Sequence, residues 1–260
     1  MYHGQQRAAL PPDEEFPFGH GKEIYFWSFV VSILVFSLGA GLSLFEGISH
    51  LLRPNLIKDV QISYLIILAS LTFEGISWIV SFREFSREKP PQYGFLQAIR
   101  KGKDPTMFLV VLEDTAALLG LLVALAGIFL TSRTGNPVYD GSASVVIGLI
   151  LAGTAVLIAL ETKGLLVGEA ALKEVVQTIR EIVARGEHVE HVNEVLTLHM
   201  GPEYIVATIS LDFVDDVPAG EIERTVLVLE SEIRRRVPDV KKVFIEAEAW
   251  RRPKLRKSLM

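Results

Sequence analysis

Four apolar stretches, each long enough to cross a bilayer, constrain this chain more than any other feature. They run from about Ile24 to Leu52, Val60 to Phe82, Met107 to Leu130 and Ser142 to Leu160. The hydrocarbon core is roughly 30 Å thick and a helix rises about 1.5 Å per residue, so about 20 apolar residues suffice for a span. Tyr25-Phe26-Trp27 opens the first stretch with side chains suited to the interface. Small residues recur in all four, as close helix packing in lipid requires. Charges crowd the remainder, so the sequence predicts a membrane half and a soluble half.

The loop between the second and third spans carries Arg83, Arg87, Lys89, Arg100, Lys101 and Lys103. The two other loops carry Arg53 with Lys58, and Arg133. The positive-inside rule puts the six-charge loop in the cytoplasm, and an even number of spans then puts both termini there too. The opening Met1–Glu15 lacks the apolar core of a signal peptide. A formal net charge of −5 with no basic stripe argues against nucleic acid as a partner. The absence of cysteine excludes a disulfide scaffold and thiolate metal ligands.

Beyond about Glu169 the pattern becomes that of a small α+β domain. A helical period covers Ala170 to Arg185, and β-rich segments Val192–Leu198 and Tyr204–Phe213 flank a turn at Gly201-Pro202. A second helix is expected over Glu221–Val237 after the start signals Asp215, Asp216 and Pro218, and a strand over Lys241–Glu248. The domain division is therefore 1–165 for the membrane part, 166–250 for the soluble domain and 251–260 for a basic tail, expected to be disordered near a membrane surface, with contact to anionic lipid as the sharper alternative.

An ionised carboxylate at the centre of a span costs about 2.5–3.5 kcal/mol on insertion scales, so it is expected to pair or to bind something. Asp114 lies about a third of the way into the third span and is the first candidate ligand for a divalent cation. Glu113 points about 100° away from it on a helix, which makes it a weaker one. Glu46 and Glu74, in identical Phe-Glu-Gly-Ile-Ser pentapeptides, are expected to bond helix to helix. His20, in Phe16-Pro17-Phe18-Gly19-His20-Gly21-Lys22, is a further candidate, with Asp13 seven residues upstream. The sequence has no HExxH, GxSxG or glycine-rich phosphate loop, and no enzyme is expected.

Several segments together resemble the cation diffusion facilitator family. The Phe16–Lys22 run with Tyr25–Phe29 resembles the junction of its second and third spans. Phe45–Ile48 resembles the end of its third span, Leu112–Gly120 its fifth and Tyr139–Ser144 the start of its sixth. Leu198–Pro202 and Val243–Glu246 resemble its ferredoxin-like cytoplasmic domain. The Glu113-Asp114 pair and the His199–Pro202 segment are similar to the branch that contains the mitochondrial zinc transporter.

The resemblance implies a six-span homodimer, joined through its cytoplasmic domain, that exports zinc or a similar ion in exchange for protons. Zinc, manganese or iron would then be substrate. It also implies metal roles for Asp114, Glu113, His20 and Asp13, and a second set in the soluble domain at His199, Glu246 and Glu248, where some members place a His and an Asp. Lys22 matches a lysine that members use in an ion pair near the membrane, for which Glu169 is the candidate partner.

Three features depart from the family. Its first two spans have no counterpart here, Val110 stands where a His or Asp usually precedes the Asp114 position by one turn, and Phe16 replaces a second His. A membrane scaffold or regulatory paralogue that dimerises without transporting is therefore the alternative.

Overall fold

A computed structural model describes residues 2–54, 59–89 and 93–250. The basic tail at 251–260 and Lys58 lie outside the described residues. The elements in chain order are α1 (Tyr2–Ala8), α2 (Glu23–Leu52), α3 (Val60–Glu88), α4 (Phe95–Lys101), α5 (Pro105–Thr134), α6 (Val138–Val167), α7 (Lys173–Val183), β1 (Val189–Gly201), β2 (Tyr204–Phe213), α8 (Ala219–Arg236) and β3 (Val240–Ala247). They form two compact units, one built from residues up to Gln5 with Glu23–Gly164, the other from Gln6–Lys22 with Leu165 onward.

In the first unit, α2, α3, α5 and α6 are each long and apolar enough to cross a membrane. All run past the expected spans, because a helix that satisfies its own backbone in lipid gains nothing by unwinding where the lipid ends. Asp104 starts α5 by accepting from the Thr106 N–H at 2.9 Å, with Pro105 at the first helical position. Gly135, at φ 67°, ends it. Phe36, Leu109, Ala116, Ala155 and Ile158 make one interior cluster joining α2, α5 and α6. Leu38, Leu42, Phe45, Leu65, Phe73 and Leu160 point outward, as lipid-facing side chains do. The short α4, which the apolar pattern does not predict, packs Ala98 and Ile99 against Phe85 and Phe108.

Gly47 marks a close approach of α2 to α6. A Cβ there would lie 2.7 Å from the Val145 nitrogen and 2.9 Å from the Gly141 carbonyl oxygen, both backbone atoms that cannot rotate away. Gly47→Ala is therefore expected to destabilise the membrane unit by about 1–3 kcal/mol. Unfolding of the detergent-solubilised chain would measure it, and an unchanged midpoint would disprove the contact.

The second unit follows the expected α-β-β-α-β order. β1 and β2 pair antiparallel across the Gly201-Pro202 turn, while β3 pairs parallel to β2. A parallel pair needs a crossover, and α8 supplies it. The sheet order is β1-β2-β3, with Ile205, Ala207, Ile209 and Leu211 of the central strand turned into a core with Ile179, Val183, Leu229 and Ile233 of α7 and α8. On the opposite face the cross-strand row Leu196, Thr208 and Phe244 lies exposed, while Val206 on the same face is buried.

One segment of the N-terminal part packs apart from the spans. Residues 6–22 cluster with the C-terminal unit rather than with the spans. Phe18 meets the Phe244 ring edge-on at 6.4 Å, and a Cβ at Gly21 would strike the Met200 carbonyl, so the segment is packed closely onto the C-terminal sheet.

Candidate metal site

α3 and α5 lie against each other along their length, and the seam between them is polar where Asp114 sits. Asp114 is 8% exposed. Its Oδ2 accepts from the Ser81 hydroxyl at 2.7 Å and the Ser77 hydroxyl at 3.2 Å. One residue along, the Thr115 hydroxyl accepts from the Trp78 indole at 2.9 Å and donates to the Val111 carbonyl. Glu74, Ser77, Trp78 and Ser81 are spaced i, i+3, i+4 and i+7, which places them on one face of α3. That spacing was readable in the sequence, but serines in a span pass as small packing residues until a partner is seen.

Glu74 lies one turn before Ser77 and Trp78 on that face of α3, and Glu113 directly precedes Asp114 on α5. Glu113 is half-buried, as its position 100° round the helix requires. The expectation that Glu46 and Glu74 bond helix to helix is not met. Among the described residues neither makes such a bond; Glu46 is exposed on α2 beside the buried Gly47. The polar tie between α2 and α6 is instead His50 to Asp140, at 3.2 Å.

Asp13 and His20 come together in the second unit. Asp13 Oδ1 accepts from the Phe16 N–H at 2.6 Å, and Oδ2 meets His20 Nε2 at 2.9 Å. Gly19, at φ 80°, makes the turn that brings them together. His20 is buried, its ring lies 4.5 Å from that of Phe16, and its Nδ1 has no hydrogen-bond partner among the described residues. The Phe16 N–H first, and then His20, hold the Asp13 carboxyl below its ordinary value of 3.8. A depressed acid contributes stability above its unfolded pKa and loses it as pH falls through the folded value. The Asp13–His20 contact is thus expected to be complete above pH 3.8 and to open only on stronger acidification. A carboxyl NMR titration with a midpoint at or above 3.8 would contradict this.

His199, Glu246 and Glu248 do not form one site. His199 pairs with Ile205 and Glu246 with Ser210, five residues along the same strand, which is about 17 Å at about 3.4 Å per residue. His199 is buried, with Nδ1 against the Gly201 carbonyl at 3.2 Å. Glu248 lies at the Glu246 end, accepting from the Ser210 hydroxyl at 2.9 Å and, through its carbonyl, from the Asn193 amide at 2.7 Å. The Lys22 ammonium donates to the Leu166 carbonyl at 3.3 Å, while the Glu169 carbonyl accepts from the His199 N–H at 3.0 Å. The contact seen for Lys22 is therefore a backbone carbonyl, and its pairing with Glu169 remains a proposal about a dimer.

The model of the cation efflux transmembrane domain matches residues 3–167. The chain belongs to the cation efflux family. This cation efflux protein is a multi-pass membrane protein of a transport family, not an enzyme family. It is 30% identical over 211 residues to the Xenopus laevis proton-coupled zinc antiporter SLC30A9, mitochondrial, covering 81% of this chain and 38% of that protein. It is 29% identical to the Homo sapiens protein of the same name over 81% of this chain and 37% of that one. Metal tolerance protein C4 of Arabidopsis thaliana is 29% identical over 171 residues, 65% of this chain and 37% of that protein. The chain thus spans less than two fifths of these relatives. A solved C-terminal domain, the nickel form of a MamM variant, superposes with a TM-score of 0.29 at 15% identity over 31% of this chain and all of that one.

Proposed function

We propose that this chain moves a divalent metal cation, zinc first among them, across a membrane in exchange for protons, with Asp114 as its ligand within the spans. The observation that carries the reading is a buried carboxylate inside a span, held by two hydroxyls. A carboxylate at that depth is costly unless it is paired or protonated. Two hydroxyl donors compensate its charge in part and can turn their lone pairs toward an arriving ion. Proton and cation then compete for one oxygen set, which is the requirement for antiport. Glu74 and Glu113 offer further oxygen ligands and proton acceptors nearby. An all-oxygen set also suits Mn²⁺, so both ions belong in the test. That test is uptake into proteoliposomes under a pH gradient; no uptake of either ion would refute the reading.

His20 with Asp13 forms a second proposed metal position, because the buried imidazole keeps one nitrogen without a partner among the described residues. The relatives named as zinc antiporters support zinc as the cargo. Val110, exposed on α5 one turn before Asp114, favours the alternative of a non-transporting scaffold, since it removes a ligand position from the span. The exposed apolar Leu196 and Phe244 on one sheet face support homodimerisation through the C-terminal unit.

Both termini are proposed to be cytoplasmic. Cysteines introduced at Arg87, at the end of α3, and at Glu223, on α8, are expected to label from the same side of sealed vesicles. Labelling from opposite sides would overturn the proposed orientation.

A further inference from the structure

Three ligand-bearing side chains meet at one end of the C-terminal sheet, on residues that the transport reading does not use. Val189 pairs with Phe213 and His191 with Asp212, so Glu190 is the extra residue of a β-bulge in β1. In a regular strand Glu190 and His191 would point to opposite faces; the bulge re-aims them to one side. Asp212 shares the face opposite the core with Thr208 and Ser210, alternating with the buried Leu211 and Phe213. One ligand atom each from Glu190, His191 and Asp212 therefore fall within 4.8 Å of one another. His191 Nδ1 stands 3.9 Å from Asp212 Oδ2. Trp250, just beyond β3, stacks on the imidazole at 4.9 Å and 12°, which fixes the plane of the ring.

We propose that Glu190, His191 and Asp212 form a surface site for a divalent transition cation such as Zn²⁺ or Ni²⁺. Around a tetrahedral ion with bonds of about 2.1 Å, ligand atoms lie about 3.4 Å apart. The present spacing, within 4.8 Å, is wider than that by little more than an ångström, and the exposed Glu190 and His191 side chains would turn inward on an ion held against the half-buried Asp212. An imidazole with two carboxylates suits Zn²⁺ and Ni²⁺ over the harder Mg²⁺ or Ca²⁺. Among the described residues neither carboxylate is bridged by a Lys or Arg, so the pair keeps its negative charge for an ion. Three protein ligands leave the fourth position to water. The bound ion would clip the start of β1 to the end of β2.

The test is calorimetric titration of the full chain in detergent with ZnCl₂ and with NiCl₂, with tryptophan emission followed in a Trp27→Phe, Trp78→Phe background that leaves Trp250. Glu190→Gln with Asp212→Asn keeps the shape, the bulge and the Trp250 stack. The double variant is expected to bind one ion fewer per chain, or to hold that ion at least about tenfold more weakly, and to lose the metal-dependent change in Trp250 emission. Asp114→Asn is expected to keep both, which separates this site from the one in the spans. Equal stoichiometry and affinity in the parent and the double variant would overturn the proposal.

Discussion

Asp114→Asn is expected to abolish pH-gradient-driven uptake of zinc and manganese while leaving the fold intact. Asparagine keeps the shape, and its amide oxygen can still accept from Ser77 and Ser81, which bond Asp114 Oδ2 at 3.2 and 2.7 Å. What it loses is the charge that binds a divalent ion and the proton that exchanges for it. The loss should exceed the 10–100-fold, roughly, that removing an outer-shell partner costs. Ser81→Ala, which takes away the shorter of the two hydroxyl bonds, should fall within that smaller range. Glu113→Gln should be milder than Asp114→Asn, because its side chain is turned about 100° away. If Asp114 only packed helices, the neutral amide would be tolerated; uptake by the Asn variant at the parent rate would therefore remove the support for a transport role.

Ile209→Ala is expected to be the most damaging truncation in the C-terminal unit, at about 2–5 kcal/mol. Ile209 is 0% exposed, on the central strand, with Val195 and Ile245 as its cross-strand neighbours. Neither strand can close over the lost volume without breaking its register with the other. Leu227→Ala, at a site 65% exposed on α8, should change stability by no more than about 0.5 kcal/mol. Denaturation of the detergent-solubilised chain, followed by β-sheet signal, measures both. A cost for Ile209→Ala no larger than for Leu227→Ala would mean that the core lies elsewhere.

The spans and the α-β-β-α-β order were legible because hydrophobic length and period are local properties. Asp114 was legible because ionisable residues in apolar runs are rare enough to stand out. Its partners were not, since Ser77 and Ser81 acquire meaning only when α3 lies against α5. The short helices α1 and α4 escaped notice because seven residues give too little periodicity to read. β1 was expected over Val192–Leu198 but runs from Val189 to Gly201. Its bulged, polar first half breaks the alternation by which a strand is recognised. The set His199, Glu246 and Glu248 failed for a related reason: matching motifs give residue types but not how far apart the register holds them.

The sequence by itself determined that this chain crosses a membrane, which ionisable side chains lie within it, and that an α+β domain follows. Those outcomes depend on runs of neighbouring residues, and burial in lipid or water acts on such runs directly. The tertiary structure alone decided which groups meet: Asp114 with two serines of another helix, residues 6–22 with the C-terminal sheet, and Glu190, His191 and Asp212 at one bulge. Each meeting depends on helix packing or strand register between distant segments, where a shift of one residue turns a side chain to the other face.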